Sequence, residues 1–197
     1  MNRASKYICV YCGSSSGTDQ VYTREAHRLG EQIASRGFGL VYGGASIGIM
    51  GTVADAVMEN GGDVIGIIPE HIADLEVAHN GLADLKVVGG MHERKALMAD
   101  HADAFIALPG GFGTLDELFE ILTWSQLGIH QKPCGLLNTD GYFDDLNNFI
   151  SNVQQKGFIK PQHRDMLKIT ADPEELLSHI SSSWEEAVNG HNFGKFG

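Results

Sequence analysis

The sequence predicts an α/β protein, a single domain built on a doubly wound, Rossmann-like parallel sheet with helices on both faces. Short apolar runs alternate along the chain with longer amphipathic segments, which is the order of strands and helices in such a sheet. Glycine-rich loops follow several of these runs directly, as in folds that bind ligands at the carboxyl ends of parallel strands. The length of 197 residues and the 43% hydrophobic content suffice for one sizeable core.

The predicted strands are apolar runs of the kind that parallel sheets bury on both faces. They comprise residues 7–11, 39–42, 63–68, 104–108 and 134–137. The predicted helices are the amphipathic segments at residues 20–36, 49–60, 91–101, 114–127, 143–156 and 173 to about 188. The irregular stretch 69–90 is predicted to be a flap with one short strand at 85–88, because loops of that length often cover binding sites.

Composition excludes several classes of partner. Fourteen Lys and Arg face 25 Asp and Glu, a formal net charge of −11, and no basic block occurs. Such a charge repels nucleic acid polymers and acidic membranes, so we predict neither as a partner. The chain shows no signal-peptide core and no apolar stretch long enough to span a bilayer, which predicts a cytoplasmic protein. Residues 1–189 form the predicted domain, and the Gly- and Asn-rich residues 190–197 form a predicted flexible tail.

Three cysteines, Cys9, Cys12 and Cys134, fit a reducing compartment better than a disulfide framework. Cys9 and Cys12 have the spacing of a redox Cys-x-x-Cys motif, but such a motif normally opens a helix, whereas Cys9 lies inside a predicted strand. The histidines are scattered without metal-ligand spacing. We therefore predict no redox pair, no metal site and no cofactor.

Residues 109–117, Pro-Gly-Gly-Phe-Gly-Thr-Leu-Asp-Glu, follow directly on the predicted strand 104–108. The glycines allow the backbone to approach a ligand, and the bare amides of a helix N-terminus attract phosphate. Thr114 is predicted to cap the helix, and Glu117 follows one turn inside it. Two interpretations of Glu117 remain open. Thr-x-x-Glu is a capping box that needs no ligand, or the carboxylate acts on a sugar next to bound phosphate.

Three Gly- or Ser-rich loops, at residues 12–17, 43–48 and 109–113, leave predicted strands. Since the carboxyl ends of parallel strands share one edge of the sheet, we expect the loops to meet there and to bind phosphate or a nucleotide. A dinucleotide fingerprint in the second loop would need glycine where Ala45 stands, and a Walker A loop would need lysine where Ile49 stands. Neither of those motifs is therefore predicted.

A resemblance to a known family rests on three segments, residues 42–51 (Tyr-Gly-Gly-Ala-Ser-Ile-Gly-Ile-Met-Gly), 91–95 (Met-His-Glu-Arg-Lys) and 109–117. In order and spacing they resemble the LONELY GUY family of cytokinin-activating phosphoribohydrolases, long mislabelled as lysine decarboxylases. The similarity extends over about residues 7–160. Ala45 and Ile49 depart from the family pattern Gly-Gly-Gly-x-x-Gly-Leu-Met-Gly, and both changes are small.

The resemblance implies hydrolysis of the N-glycosidic bond of nucleoside 5'-monophosphates to free base and ribose 5-phosphate. AMP, as in an AMP nucleosidase, and cytokinin riboside 5'-monophosphates are the expected substrates. It assigns the catalytic pair to Arg94 and Glu117, and it implies a homodimer with the active site near the subunit interface. The predicted substrate-binding residues, from the resemblance and from the second glycine loop, are Gly43, Gly44, Ser46, Glu76, Arg94, Lys95, Pro109, Gly110, Gly111, Phe112, Gly113, Thr114, Leu115 and Thr123.

Residue chemistry supports the same catalytic pair. Departure of the base leaves an oxocarbenium-like sugar, which Glu117 can stabilise or help to capture by deprotonating water. Arg94 offers permanently charged donors for phosphate or the departing base, or forms a surface ion pair. Lys95 lies about 100° further around the same helix and can anchor phosphate, line an interface or face water. Asp116 and Glu120 are interpreted as helix charges whose repulsion could raise the apparent pKa of the site.

Two other functions compete with hydrolysis. A non-catalytic nucleotide sensor or cofactor carrier could use the same fold and loops. A decarboxylase needs a lysine that forms a Schiff base with pyridoxal phosphate and a platform for that cofactor, and the sequence identifies neither.

Overall fold

The computed structural model describes the backbone of residues 4–76 and 78–193 and the side chains of residues 4–73 and 78–186. In this described part of the chain, seven strands form one sheet in which every neighbouring pair is parallel. The predicted doubly wound α/β fold is confirmed. The strands are β1 (Tyr7–Tyr11), β2 (Gly39–Tyr42), β3 (Val64–Pro69), β4 (Asp84–Val88), β5 (Ala104–Ala107), β6 (Cys134–Leu137) and β7 (Leu167–Thr170).

Helices connect the strands and cover both faces of the sheet. The face that packs against α1, α2 and α8 includes Ile8 and Val10 of β1, whereas Cys9 and Tyr11 of the same strand pack against α4, α5 and α6. The helices are α1 (Gln20–Ser35), α2 (Gly48–Glu59), α3 (Glu70–Glu76), α4 (Met91–His101), α5 (Phe112–Gln126), α6 (Asp144–Gln155), α7 (Pro161–Arg164) and α8 (Pro173–Phe193), with a 3-10 turn at Thr139–Gly141.

The strand order explains where the loops gather. The order is β4-β3-β2-β1-β5-β6-β7, so the chain builds one half of the sheet outward from β1 and then returns to place β5 on the other side of β1. β1 and β5 pair from Ile8 with Ala104 to Tyr11 with Ala107. The order of strands therefore reverses between β1 and β5, and the loops at their carboxyl ends flank the crevice in which such folds bind ligands.

The sequence patterns do not predict three short elements of the structure: α3, α7 and β7. α3 lies inside the predicted flap. β7 is an edge strand in which only Leu167 is buried, so it lacks the apolar run that marks the inner strands. The last helix, α8, continues to Phe193, past its predicted end near residue 188. Residues 194–197 of the predicted tail lie outside the described residues.

In the described segments, we find no helix that combines the length and apolar character needed to cross a membrane.

Candidate active site

A hydrogen bond joins the loops that follow β1 and β5, the two strands between which the strand order reverses. The amide of Gly13 donates to the carbonyl oxygen of Pro109 over 3.1 Å. A Cβ at Gly110 would lie 2.7 Å from the Gly13 nitrogen and would overlap Oγ1 of Thr114, so only glycine fits between them. The expectation that these two loops meet at one edge of the sheet is confirmed.

The loop after β2 packs against the loop after β1. Gly48 has a φ of 64°, and a Cβ there would overlap the backbone of Ser14. The amide of Met50, in the first turn of α2, donates to the carbonyl oxygen of Gly13 over 3.2 Å. Glycine at position 48 and one amide of the α2 N-terminus therefore serve contact between two loops.

α5 begins two residues earlier than the predicted start at residue 114. Gly111 is its N-cap residue and Phe112 its first helical residue. Thr114 thus lies in the first turn and Glu117 in the second, so the two do not form a capping box. The capping interpretation of Glu117 is wrong. The amides of the first turn of α5 have no partners within the helix, and this end of the helix borders the open cleft described below.

The carboxylate of Glu117 instead pairs with Arg94, 23 residues away on α4. Nη1 of Arg94 donates to Oε1 of Glu117 over 2.9 Å, and Nε donates to the carbonyl oxygen of Ile67 over 3.1 Å. Arg94 is 7% exposed and Glu117 is 5% exposed. The interpretation of Arg94 as a surface ion pair is therefore wrong, because both partners are buried.

Gly43, at the end of β2, makes room for this ion pair. A Cβ at Gly43 would overlap Nη2 of Arg94 and would lie 3.0 Å from Sδ of Met50. The close approach of the guanidinium to the backbone thus requires glycine at this position. Gly43 therefore contacts the guanidinium of Arg94 and is not among the described residues that line the open cleft.

The ion pair lines a cleft of about 300 Å³ at the carboxyl edge of the sheet. Apolar side chains of Met50, Ile72 and Met91 form part of its wall, and sequence reasoning missed them because methionine and isoleucine carry no chemical signature. The described residues that line the cleft are Cys12, Gly13, Ser14, Met50, Ile72, Met91, Arg94, Gly111, Phe112, Gly113, Thr114 and Glu117. The structure thus gathers both residues of the predicted catalytic pair with residues 111–114.

A larger cleft, of about 640 Å³, lies at the opposite edge of the sheet. Tyr7, Asp63 and Asp84, at the amino ends of β1, β3 and β4, contribute to its lining. None of the predicted site residues is among its described lining residues. Chemistry rather than volume therefore identifies the candidate active site.

Lys95 occupies a position outside the cleft, between two carboxylates of α5. Its Nζ lies 3.1 Å from Oδ2 of Asp116 and 3.1 Å from Oε2 of Glu120. Burial alone would lower the pKa of Lys95, but these hydrogen bonds and charges outweigh it and raise the pKa above its usual value. Asp116 and Glu120 therefore interact with Lys95 and hold α4 against α5, while Glu117 turns to the other side.

Other predicted contact residues also lie away from this cleft. Thr123 is exposed on α5, and Leu115 packs against the core on the α4–α5 side of the sheet. Gly44 and Ser46 lie in the loop between β2 and α2 and are not among the described residues that line the cleft. Glu76 ends α3, and its side chain lies outside the described residues.

Two buried ionisable groups, the Cys9 thiol and the Tyr11 phenol, lie behind the ion pair on β1. Burial raises the pKa of both groups far above their usual values, and the negative charge of Glu117 adds to each shift. Both groups are therefore neutral at neutral pH. Cys9 and Cys12 pack on opposite faces of the sheet, an arrangement unlike that of a redox pair. Within the described residues, no cluster of three or more His, Cys, Asp or Glu side chains has the arrangement of a metal site.

Comparison with known proteins gives concordant matches. A protein-family model described as a possible lysine decarboxylase matches residues 50–180. A cytokinin riboside 5'-monophosphate phosphoribohydrolase of Arabidopsis thaliana is 49% identical over 177 residues, which cover 90% of this chain and 78% of the relative. A second Arabidopsis enzyme with the same description is 48% identical over 175 residues, 89% of this chain and 82% of its own.

Among solved structures, the Moco carrier protein of Chlamydomonas reinhardtii aligns with a TM-score of 0.71. The alignment covers 92% of this chain and 98% of the carrier protein. At 22% identity, this likeness shows that the two proteins share a fold.

Replacing Gly43 with alanine is expected to displace Arg94 and disturb the buried ion pair. Forcing a methyl group into this contact should lower the free energy of unfolding by about 1–3 kcal/mol, measured by urea denaturation. Gly113→Ala is the matched control, because Gly113 lies inside helix α5, where alanine is favourable, and a Cβ there meets nothing within 4 Å. Equal stability of the two variants would contradict the proposed role of Gly43.

Proposed function

The chain belongs to the LONELY GUY family of cytokinin riboside 5'-monophosphate phosphoribohydrolases, and we propose that it hydrolyses the N-glycosidic bond of nucleoside 5'-monophosphates. The substrates are AMP and cytokinin riboside 5'-monophosphates, and the products are the free base and ribose 5-phosphate. One observation carries the proposal. The buried Arg94–Glu117 pair lines the same cleft as the amino end of α5, so a carboxylate stands one helical turn from an open helix terminus.

The phosphate is assigned to the amino end of α5. The amides of its first turn lack helical partners, and the helix dipole places partial positive charge there. The attraction between this helix terminus and a phosphate acts at short range. It can therefore hold the phosphate without a cluster of cations, even though the chain has a net charge of −11. Gly111 and Gly113 leave the approach open, since a Cβ at either position would meet nothing within 4 Å.

With the phosphate at this end of the helix, the sugar lies beside Glu117. The bond between C1' and the base nitrogen breaks with its electron pair going to the base, and the sugar takes on oxocarbenium character. Glu117 stabilises that positive charge and accepts a proton from the water whose oxygen bonds to C1'. The base nitrogen takes up one proton from solvent and Glu117 later releases its proton to solvent, so the reaction consumes one water molecule. The apolar wall formed by Met50, Ile72 and Met91 offers a surface for the base.

Arg94 is assigned a positioning role. Its guanidinium is hydrogen-bonded to Glu117 and to the carbonyl oxygen of Ile67, so it fixes the direction of the Glu117 carboxylate. This geometry favours action through Glu117 over the phosphate grip that the residue type alone would also permit.

The competing functions receive less support. Among the described residues that line the cleft there is no lysine, and the ammonium of nearby Lys95 is held by Asp116 and Glu120, unlike the nucleophilic amine that a Schiff base requires. A carrier function rests on a likeness of fold at 22% identity, whereas the hydrolase relatives are 48% and 49% identical. Product formation would distinguish the hydrolase from a carrier.

A reducing cytoplasmic location is part of the proposal, since it suits three buried cysteines without disulfides.

We also propose a homodimer that shares its active site across the interface. Phe112, Phe119, Thr123 and Leu127 follow one stripe along α5 and its carboxyl end, and Phe112 is 93% exposed. Two copies of α5 packed antiparallel across a two-fold axis would bury this stripe. The same packing would carry Thr123 of one protomer toward the amino end of α5, and hence the cleft, of the other.

The first test of the proposed function compares AMP with adenosine. We expect kcat/KM for AMP to exceed that for adenosine by about 100-fold or more, because the amino end of α5 interacts only with the phosphate. Purified protein is incubated with AMP, isopentenyl-AMP or adenosine, and bases and sugar phosphates are resolved by chromatography. Equal kcat/KM values for AMP and adenosine would contradict phosphate recognition, and the absence of any free base would contradict hydrolysis.

The second test addresses Glu117 with the isosteric change Glu117→Gln. Loss of the carboxylate should lower kcat for AMP by about 100- to 10,000-fold while AMP binding stays within a modest factor. The control is Glu120→Gln, which removes a carboxylate of the same helix that faces Lys95, and its kcat should stay within a few fold. A folded Glu117→Gln protein with near-normal kcat would return the catalytic role to another group.

The third test concerns the dimer. Wild-type protein should sediment at twice the chain mass of 21.3 kDa. Phe119→Glu should yield monomers with reduced AMP cleavage, because a charge placed in the apolar stripe opposes burial. Val87→Glu, at an exposed position on the opposite edge strand β4, should leave the dimer intact. A monomeric wild-type protein with full activity would refute the shared site.

A further inference from the structure

A second cleft, of about 340 Å³, adjoins the candidate active site on the other side of the β5–α5 loop. The two clefts share Gly13, Ser14 and Gly111. Tyr22 of α1 and Tyr142, which follows the 3-10 turn after β6, contribute the aromatic part of the second wall. Residues 109–111, which lead into the amino end of α5, therefore border a second cleft whose aromatic residues lie outside the sequence motif.

Tyr142 makes a specific contact with that loop. Its hydroxyl donates to the carbonyl oxygen of Gly110 over 2.8 Å. Because a trans peptide unit is planar, the N–H of Gly111 points in the direction opposite to the carbonyl of Gly110. Anchoring this carbonyl on Tyr142 therefore turns the Gly111 amide away from Tyr142, and Gly111 also lines the cleft that contains Glu117.

The position of Tyr142 is itself well determined. Asp140 adopts a φ of 52° and Gly141 a φ of 70°, so two residues with left-handed φ angles directly precede Tyr142 in this turn. The ring of Tyr142 then packs edge-on against Phe143 and Tyr22, with centroids 4.7 Å and 5.7 Å apart. The hydroxyl thus reaches Gly110 from a side chain whose rotation is restricted on two sides.

We propose that Tyr142 is a positioning residue for phosphate recognition, an inference that rests on the proposed function. Its hydroxyl fixes the Gly110–Gly111 peptide so that the Gly111 amide joins the first-turn amides of α5 around the phosphate of the substrate. The same phosphate is present in the substrate and in ribose 5-phosphate. Tyr142 therefore contributes equally to ground-state and transition-state binding, and it acts on KM rather than on kcat.

The test is Tyr142→Phe, which removes the hydroxyl and keeps the ring. We expect KM for AMP and the inhibition constant of ribose 5-phosphate each to rise about 3- to 10-fold, as for loss of one hydrogen bond. The kcat and the inhibition constant of adenine should remain within about twofold of the wild-type values, because neither depends on phosphate contacts. Tyr22→Phe is the matched control, because it also removes a hydroxyl from this cleft. Among the described residues, no hydrogen bond of the Tyr22 hydroxyl is found, so all four constants should be unchanged.

Two results would overturn the proposal. One is a Tyr142→Phe protein with the same constants as Tyr22→Phe. The other is an equal rise in the constants for ribose 5-phosphate and adenine, which would indicate a general change in the cleft. Binding of ribose 5-phosphate is also measured by calorimetry in wild type and both variants. If wild-type protein cleaves no nucleotide, the proposed hydrolase function fails by itself, and the calorimetric comparison still decides the role of Tyr142.

Discussion

The buried ion pair between Arg94 and Glu117 is the constraint around which the candidate site is organised. Transfer of two charges out of water is unfavourable by several kcal/mol per ion, and a single contact of 2.9 Å compensates only when further hydrogen bonds support it. Here the carbonyl oxygen of Ile67, within β3, supplies one, and the absence of a side chain at Gly43 lets the guanidinium fit. The pair forms only when α4, α5, β2 and β3 are packed in their native relative positions.

The glycines around the site serve two different purposes. At Gly43, Gly48 and Gly110 a Cβ would overlap another part of the protein, so these residues permit close packing. At Gly111 and Gly113 a Cβ would meet nothing, so these residues keep the approach to α5 open. A glycine-rich loop is therefore not by itself an anion site. The loop after β2 packs against Ser14 and Arg94, whereas the start of α5 lines the cleft.

α5 connects the chemistry with the proposed assembly. One side of the helix carries Glu117 toward Arg94, and the exposed side carries Phe119 and Thr123 beside Asp116 and Glu120, whose carboxylates contact Lys95. Because both sides belong to one rigid element, a partner that binds the exposed stripe also fixes the helix terminus assigned to the phosphate. This coupling gives a physical reason for an active site near a subunit interface.

The sequence alone determined the class of fold and the edge of the sheet at which its glycine-rich loops gather. Buried parallel strands must be continuous apolar runs, so β1, β2, β3, β5 and β6 are visible in the pattern, and loops that follow such strands must share one edge. The edge strand β7 and the short helices α3 and α7 follow no such pattern, since half-exposed segments need no distinctive composition. The predicted start of α5 at Thr114 is two residues late, because local cap preferences do not include the close contact between Gly13 and Gly110 in the preceding loop. The family resemblance, supported by residue chemistry, identified Arg94 and Glu117, and only the tertiary structure decided that they pair. Their contact joins residues 23 positions apart on two helices that are separated by a strand and two loops, so it depends on packing that no local pattern records.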